Sequence, residues 1–268
     1  MSPATLDGPT LRASTAPSRH PDGSLRIRLD DQWNSLNGRP LGGYTMAAVL
    51  RALVDEVPTG EPLSASAVFL RPAAVGEIAV HTELVRTGRT VSVAAATADQ
   101  DDRELLRLTA TFGQGARPTG PTALAATPPR LPDPDDCVDP LAGTVLPGVT
   151  VTERVEYRFA TPPGWRSGAP SGAAVQEFWM RLRQPEPVDA STLVFLVDAA
   201  APGVLELGAA GSSTLELAVQ FRGRPATEWL ACRCTTRFLV DGLHEEDFEI
   251  WDAEGTLVAI SRQFALAR

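Results

Sequence analysis

One acidic residue interrupts a strongly apolar segment in the second half of this 268-residue chain. Asp198 follows residues 193–197, which are all apolar, and precedes three alanines. Burying an unpaired carboxylate is costly, so a partner must meet it. Three surroundings for Asp198 are open. It belongs to a functional site, it pairs with an arginine in a structural ion pair, or it faces water at the end of a helix.

Two uncharged polar residues lie in segments that are otherwise typical of strands. Thr214 opens the segment 214–219, and Gln263 lies within the segment 258–266. Each residue alone is compatible with an ordinary strand position. A function for either one depends on whether the fold brings it to Asp198.

Several kinds of chemistry are excluded by residue types that the chain lacks. It contains no lysine, which excludes Schiff-base catalysis, a pyridoxal phosphate lysine and a Walker A loop. The histidines His20, His81 and His244 are far apart, which argues against a zinc hydrolase. Neither GxSxG nor GxGxxG occurs. We therefore expect no metal and no cofactor.

Composition and charge favour a folded protein that does not bind nucleic acid. Apolar residues make up 43% of the chain, and 33 acidic against 24 basic residues give a net charge of −9. Nucleic-acid binding requires a basic surface instead. No run approaches about 18 uninterrupted apolar residues, so we expect no membrane span. Three cysteines without a disulfide framework favour reduced thiols and a cytoplasmic location.

A change in composition divides the chain into two similar halves. We predict a flexible N-terminus (1–22), a first unit (23–113), a Pro-rich linker (114–150) and a second unit (151–268). The length of the linker suggests that it joins the two units across their outside.

Both halves have the predicted order of strand, helix and then further strands. In the first half the helix is predicted at 44–56 and the strands at 24–29, 63–71, 77–86, 90–99 and 104–113. In the second half the helix is predicted at 191–201 and the strands at 151–159, 174–183, 213–222, 228–239, 242–251 and 256–267. This repeated order indicates an internal duplication.

Most of each predicted helix is apolar: residues 44–54 are apolar almost all round except Arg51, and residues 193–201 are apolar except Asp198. A helix without a polar stripe is buried on most sides. A curved antiparallel sheet wrapped around one central helix, the hot-dog architecture, meets that requirement. We therefore predict an α+β double hot dog whose two sheets pair edge to edge, which also protects their strand edges.

Short motifs along the chain resemble those of double-hot-dog acyl-CoA thioesterases of the thioesterase II type. In the second half these are LVFLVDAAAP, STLELAVQF and LVAISRQFALAR; in the first half they are WNSLNGRPLGGYTMAAVL, SAVFLRP and GRTVSV. The motifs occur in a consistent order, and the resemblance covers most of the chain outside the N-terminus and the linker. The resemblance implies an acyl-CoA or other acyl-thioester substrate and association into oligomers.

The resemblance also implies roles for three residues of the second half. The family's water-holding Asp, Thr and Gln correspond to Asp198, Thr214 and Gln263. Two departures are visible: Glu216 and Leu217 stand where bacterial members have Asp-His, and Phe264 follows the Gln where they have Glu. The implied mechanism is direct hydrolysis without an acyl-enzyme, with one working site per chain.

The turn at Gly42, Gly43 and Tyr44 is the predicted substrate-binding segment. Backbone N–H groups at a helix start could stabilise the oxyanion, and glycine permits close approach of a ligand. A tight turn that merely precedes the helix is the alternative. Two other functions remain open for the whole chain. One is a hot-dog dehydratase or hydratase, which would use a His with a carboxylate, although His81 and His244 are predicted on strands away from the motif residues. The other is a noncatalytic acyl-thioester binding protein.

Overall fold

The computed structural model describes residues 8–36, 38–57, 60–113 and 119–268, and these residues form four α-helices and thirteen β-strands. The helices are α1 (Leu11–Ser14), α2 (Gly42–Glu56), α3 (Val151–Arg154) and α4 (Ala190–Ala199). The strands of the first half are β1 (Ser18–Arg19), β2 (Leu25–Leu29), β3 (Pro62–Phe69), β4 (Gly76–Arg86), β5 (Val91–Gln100) and β6 (Arg103–Gly113). Those of the second half are β7 (Val155–Arg158), β8 (Val175–Leu182), β9 (Ser212–Phe221), β10 (Leu230–Thr235), β11 (Leu239–Val240), β12 (Leu243–Asp252) and β13 (Leu257–Ala267).

All of these strands belong to one antiparallel sheet. Its order is β1-β2-β4-β5-β6-β3-β9-β13-β12-β10-β8-β7, with β11 paired to β12. The halves of the chain therefore occupy separate blocks of the sheet and meet where β3 pairs with β9. This contact joins the two blocks edge to edge, as the sequence predicts.

The two longer helices supply the centre of the core. In α2 every residue from Gly43 to Leu53 is buried, and α2 packs on strands of the first block. Helix α4 packs on β9 and β12 of the second block, and the two helices contact each other. The segment Ala190–Leu207 is apolar and long enough to resemble a membrane span, but most of it is buried. Its helical part is a core helix because the sheet and α2 cover it.

Several boundaries differ from the prediction, and three of the differences change how an element is described. Helix α2 begins at Gly42 rather than at residue 44, so the glycine pair forms its first turn. The predicted strand 151–159 begins as helix α3 and becomes extended only at Val155. The predicted strand 228–239 is shorter, since β10 ends at Thr235. Local sequence does not decide such boundaries, because the partners that complete each turn are distant in the chain.

The predicted flexible N-terminus, residues 1–22, is held against the fold wherever it is described. Its first seven residues lie outside the described part. Within 8–22, Leu11 is fully buried, and the backbone carbonyl of Ser14 accepts a hydrogen bond from the hydroxyl of Tyr44 at 3.1 Å. This segment is therefore a part of the core that sequence composition did not indicate.

The predicted linker, residues 114–150, does not simply run across the outside. Residues 114–118 lie outside the described part of the chain. Farther on, Val138 and Phe159 exchange backbone hydrogen bonds of 2.8 and 2.9 Å, and Val149 is buried. The linker packs against the second half because its scattered apolar side chains need a surface to cover.

An ion pair stabilises the junction of the two helices. Arg51 of α2 donates to the carboxylate of Asp189, the N-cap of α4, at 3.0 and 3.3 Å. It also donates to the Thr15 hydroxyl at 2.8 Å, and its side chain is only 10% exposed. Asp189 in turn accepts from the amide of Thr192 at 3.0 Å, which caps the helix.

These contacts predict graded losses of stability for two substitutions. Asp189→Asn retains an N-cap oxygen but removes the charge opposite Arg51, whereas Asp189→Ala removes both. We expect both variants to unfold more easily, and the alanine variant to lose about 1 kcal/mol more than the asparagine variant. Urea denaturation of the two variants measures the difference. Equal free energies of unfolding would contradict a capping role for Asp189.

Candidate active site

Asp198 lies at the end of α4, where its carboxylate meets the start of α2. Its Oδ2 accepts a hydrogen bond of 2.6 Å from the backbone amide of Gly43. The positive end of the α2 dipole stabilises an anion at this position. Since Gly43 binds Oδ2, the second oxygen, Oδ1, is left to face the sheet.

A β-bulge directs Thr214 toward Asp198. Between β9 and β13, Phe264 pairs with Glu216 while Ala265 pairs with Thr214, so Leu215 is the extra residue. In a regular strand Thr214 and the buried Leu217 would point to opposite faces, because they are three residues apart. The bulge places both on the inner face, and Leu215 points outward.

Gln263 completes the polar group, and Glu246 supports it from the neighbouring strand. The Thr214 hydroxyl donates to Gln263 Oε1 at 3.1 Å and lies 3.5 Å from Asp198 Oδ1. Gln263 Nε2 donates to Glu246 Oε1 at 3.0 Å, since β12 and β13 place these two residues directly opposite each other. The amide of Gly203 donates to Glu246 Oε2 at 2.6 Å. The fold thus brings together the three residues singled out in the sequence.

The polar group lines a cavity of about 660 Å³. That volume is in the range of small-molecule sites. Apolar side chains make up much of the wall: Phe69, Leu141, Leu146, Val149, Tyr157, Phe159 and Phe178. Arginines also line it: Arg39, Arg71 and Arg268. The cavity therefore combines an apolar interior with a small set of polar and basic groups.

Burial raises the pKa of two carboxyl groups here. The pKa of Asp198 rises to about 6 because burial disfavours the charged form, an effect that the Gly43 amide and the Thr214 hydroxyl oppose. The pKa of Glu246 rises to about 7, again mainly through burial. An acid with a pKa near neutrality suits general base catalysis, and perturbed values cluster at functional sites.

The raised pKa of Asp198 predicts an acid limb in the activity profile. A general base must be ionised, so kcat/KM should rise with pH through about 6 and then level off. Initial rates measured between pH 4.5 and 9, on enzyme shown to stay folded, provide the profile. A rate that is constant from pH 5 to pH 8 would exclude Asp198 as the base.

The three residues of the predicted substrate-binding turn lie in three different environments. Gly42 lines the cavity, and its amide has no acceptor among the described residues. The amide of Gly43 is already bound to Asp198. Tyr44 does not line the cavity; its side chain is fully buried, and its hydroxyl points to Ser14. The Tyr44 side chain is therefore part of the core, and the prediction for this turn concerns its backbone N–H groups.

Glu246 lines the cavity and His244 lies beside Ser212, although the sequence pattern assigned neither residue to the site. Alternation along β12 indicates that both side chains face inward, but neither stood near the family motifs. His244 is buried, and its Nε2 lies 2.8 Å from the hydroxyl of Ser212, which lines the cavity. The expectation that His244 lies away from the motif residues is thus wrong. His81, in contrast, is exposed beside Asp99.

The two family models that match the chain describe both of its halves. Residues 29–113 match the acyl-CoA thioesterase N-terminal domain, and residues 121–267 match the acyl-CoA thioesterase C-terminal domain. The chain belongs to the acyl-CoA thioesterase family and is a thioester hydrolase. This confirms the resemblance identified from the sequence motifs.

Individual proteins resemble the chain over nearly its whole length. Uncharacterized protein Rv0499 of Mycobacterium tuberculosis H37Rv is 28% identical over 262 residues, and the match covers 89% of each chain. A candidate thioesterase II from Thermobifida fusca YX is 26% identical, with a TM-score of 0.85 and coverage of 99% of this chain and 100% of that one. A conserved protein with a hot-dog fold from Alicyclobacillus acidocaldarius is 24% identical, with a TM-score of 0.82 and coverage of 96% and 97%. The chain therefore has a hot-dog fold, as its sequence predicts.

Proposed function

We propose that the protein hydrolyses acyl-CoA thioesters by direct attack of water held by Asp198, Thr214 and Gln263. The observation that carries this proposal is the meeting of these three side chains at the wall of one cavity, beside the start of α2. The same meeting argues against a noncatalytic binding protein, because a buried carboxylate with a raised pKa is costly to maintain.

In the proposed reaction Asp198 is the general base. A water molecule donates one hydrogen to Asp198 Oδ1, and its oxygen attacks the thioester carbonyl carbon. The water proton passes to Asp198 as the new C–O bond forms. When the C–S bond breaks, Asp198 returns that proton to the leaving thiolate. The products are a free acid and a thiol, so atoms and charge balance without a covalent acyl-enzyme.

The amide of Gly42 is the proposed donor to the oxyanion. It is at the first turn of α2, lines the cavity and has no acceptor among the described residues. Negative charge that develops on the carbonyl oxygen is stabilised at such a helix start. Gly43 has a different role, since its amide orients the base.

The cavity also suggests how an acyl-CoA would lie. The apolar wall accommodates an acyl chain, and Arg39 and Arg71 are suited to phosphate groups.

The proposal includes two hot-dog repeats per chain, a cytoplasmic location and self-association. It also includes a single site, because Arg51 contacts the start of α4 in the way that Asp198 contacts the start of α2.

The competing mechanism is nucleophilic attack by Ser212. Its hydroxyl lies at the cavity and within hydrogen-bond distance of His244, as a serine activated by a base would. Burial lowers the pKa of His244, which favours the neutral base. The dehydratase alternative is less favoured, since the nitrogens of His244 contact Ser212 and a backbone carbonyl rather than a carboxylate.

A panel of acyl-CoAs assayed for free thiol tests the proposal. Under direct hydrolysis, rapid-quench measurements show no burst of thiol before steady turnover, and Asp198→Asn abolishes most activity. A burst that disappears in Ser212→Ala would replace this mechanism with an acyl-enzyme. Absence of thiol release from every member of the panel would exclude acyl-CoA hydrolysis.

A further inference from the structure

Glu246 is a buried carboxylate of the cavity wall that the three-residue set leaves without a role. It lies on β12, directly opposite Gln263 on β13, and is only 4% exposed. Its two oxygens have different partners: Oε1 accepts from Gln263 Nε2 at 3.0 Å, and Oε2 accepts from the Gly203 amide at 2.6 Å. No arginine pairs with it among the described residues. The Cys234 thiol also contacts Glu246, so Gln263 is the one of these three partners that belongs to the proposed catalytic set.

The contact between Glu246 and Gln263 determines which way the amide points. An ionised carboxylate only accepts hydrogen bonds, so the amide nitrogen of Gln263 must face Glu246. The amide oxygen is then directed to the other side, where it accepts from Thr214 at 3.1 Å. We propose that Glu246 is a positioning residue that holds the Gln263 amide in this orientation and thereby sets the hydrogen bonds of the attacking water. This inference rests on the proposed hydrolytic function.

The orientation of the amide controls what Asp198 can accept. With Gln263 Oε1 toward Thr214, the threonine hydroxyl has two acceptors and lies closer to the amide oxygen, at 3.1 Å, than to Asp198 Oδ1, at 3.5 Å, so Asp198 Oδ1 keeps most of its capacity to accept from water. With the amide reversed, its nitrogen would donate to Thr214, whose hydrogen would then turn to Asp198 Oδ1, 3.5 Å away. A neighbouring hydroxyl would then occupy one acceptor position of Asp198 Oδ1 and make this oxygen a weaker base. Glu246 thus keeps Asp198 available to the water.

The substitution Glu246→Gln is expected to reverse the amide of Gln263, while the side chain at position 246 keeps almost the same shape. The Gly203 amide still needs an acceptor, so the carbonyl of the new glutamine faces Gly203 and its NH2 group faces Gln263. Two facing NH2 groups repel, and Gln263 must turn its own oxygen toward position 246. The substitution therefore presents a donor to Thr214 in place of an acceptor.

We expect Glu246→Gln to lower kcat about 20-fold, with KM changed less than about threefold. The assay is run at pH 8.5, above the pKa of about 6 for Asp198 and of about 7 for Glu246. Glu249→Gln is the matched control, since it makes the same change on the same strand but pairs with Arg233 outside the cavity. The control is expected to keep wild-type kcat.

The exchange variant Glu246→Gln/Gln263→Glu separates orientation from packing. Its glutamine satisfies Gly203 and donates to the new carboxylate, which again presents an acceptor to Thr214. We expect the exchange variant to regain part of the kcat that Glu246→Gln loses. Its kcat should also be higher than that of Gln263→Ala. Wild-type kcat in Glu246→Gln, or an exchange variant no better than Gln263→Ala, would overturn the proposal.

If Glu246→Gln does not fold, as judged by circular dichroism, the comparison of the exchange variant with Gln263→Ala decides alone. Failure of this inference is distinguishable from failure of the hydrolytic mechanism. In the first case Asp198→Asn still abolishes activity while Glu246→Gln does not. In the second case Asp198→Asn itself retains activity.

Discussion

Asp198→Asn is expected to lower kcat/KM about 1,000-fold, because it removes the proposed general base without changing its shape. The asparagine oxygen can still accept from the Gly43 amide, which leaves the junction of α2 and α4 intact. The new NH2 group would instead occupy the position of Oδ1 and donate toward Thr214 and the water. A water molecule that meets a donor there cannot transfer its proton. The measurement is steady-state hydrolysis of the best acyl-CoA of the panel at pH 8.

The same substitution is expected to raise thermal stability at pH 8. The carboxyl of Asp198 has an ordinary pKa of 3.8 and a pKa of about 6 in the folded chain. Between these values the folded chain holds a proton that the unfolded chain has released, so the free energy of unfolding falls as pH rises. Above a pH of about 6 the folded chain carries the full free-energy cost of the ionised Asp198 carboxylate. A neutral asparagine avoids this cost.

The control for this prediction is Asp247→Asn, on the outer face of β12. Asp247 pairs with Arg237 and Arg262 and does not line the cavity. It is expected to keep activity and to gain no stability. An Asp198→Asn variant with more than a tenth of wild-type kcat/KM would remove Asp198 from its role as base. Lower activity together with lower thermal stability would instead indicate a structural part for the carboxylate.

Gly43→Ala is expected to lower both activity and stability, because α2 and α4 touch at this residue. A Cβ atom there would lie 2.6 Å from the Cβ of Asp198 and 3.0 Å from the Val194 carbonyl oxygen. Both contacts are shorter than packed atoms tolerate, so the two helices must move apart. Overpacking of this kind costs about 1–3 kcal/mol. Because the group that moves is the proposed base, we also expect about a 100-fold loss of kcat.

Gly120→Ala is the matched control, since a Cβ atom at Gly120 meets nothing within 4 Å. Thermal unfolding and steady-state kinetics on the two alanine variants give the comparison. We expect Gly120→Ala to behave as the wild type. A Gly43→Ala variant with unchanged thermal stability and kcat would show that the helices do not depend on their close approach at this point.

The hydrophobic pattern alone was enough to predict a hot-dog fold and to single out Asp198 as a residue that needs partners. Two helices that are apolar on all sides require burial, and antiparallel strands around them supply it. A single carboxylate in such a helix needs partners, which is why Asp198 stands out by its type and its surroundings. Short motifs in a consistent order then indicated the thioesterase family, which the family models confirm.

The hydrogen bonds of the site depend on the pairing register of its strands. The local sequence pattern does not predict that register. The bulge at Leu215 turns Thr214 to the inner face, yet residues 214–217 look like a regular alternating strand. Glu246 meets Gln263 only because β12 and β13 pair in one particular register. A slip of one residue between these strands would have left only one of the two side chains on the inner face.

Packing against the core likewise overrode composition at the N-terminus and in the linker. Leu11 and Val149 lie in segments rich in small, polar or proline residues, and both are buried. The sequence by itself determined that the two long apolar helices must be buried and that Asp198 needs a partner there. Tertiary structure decided which donors and acceptors meet, because those contacts join strands and helices that are distant in the chain and are set by pairing geometry rather than by local preference.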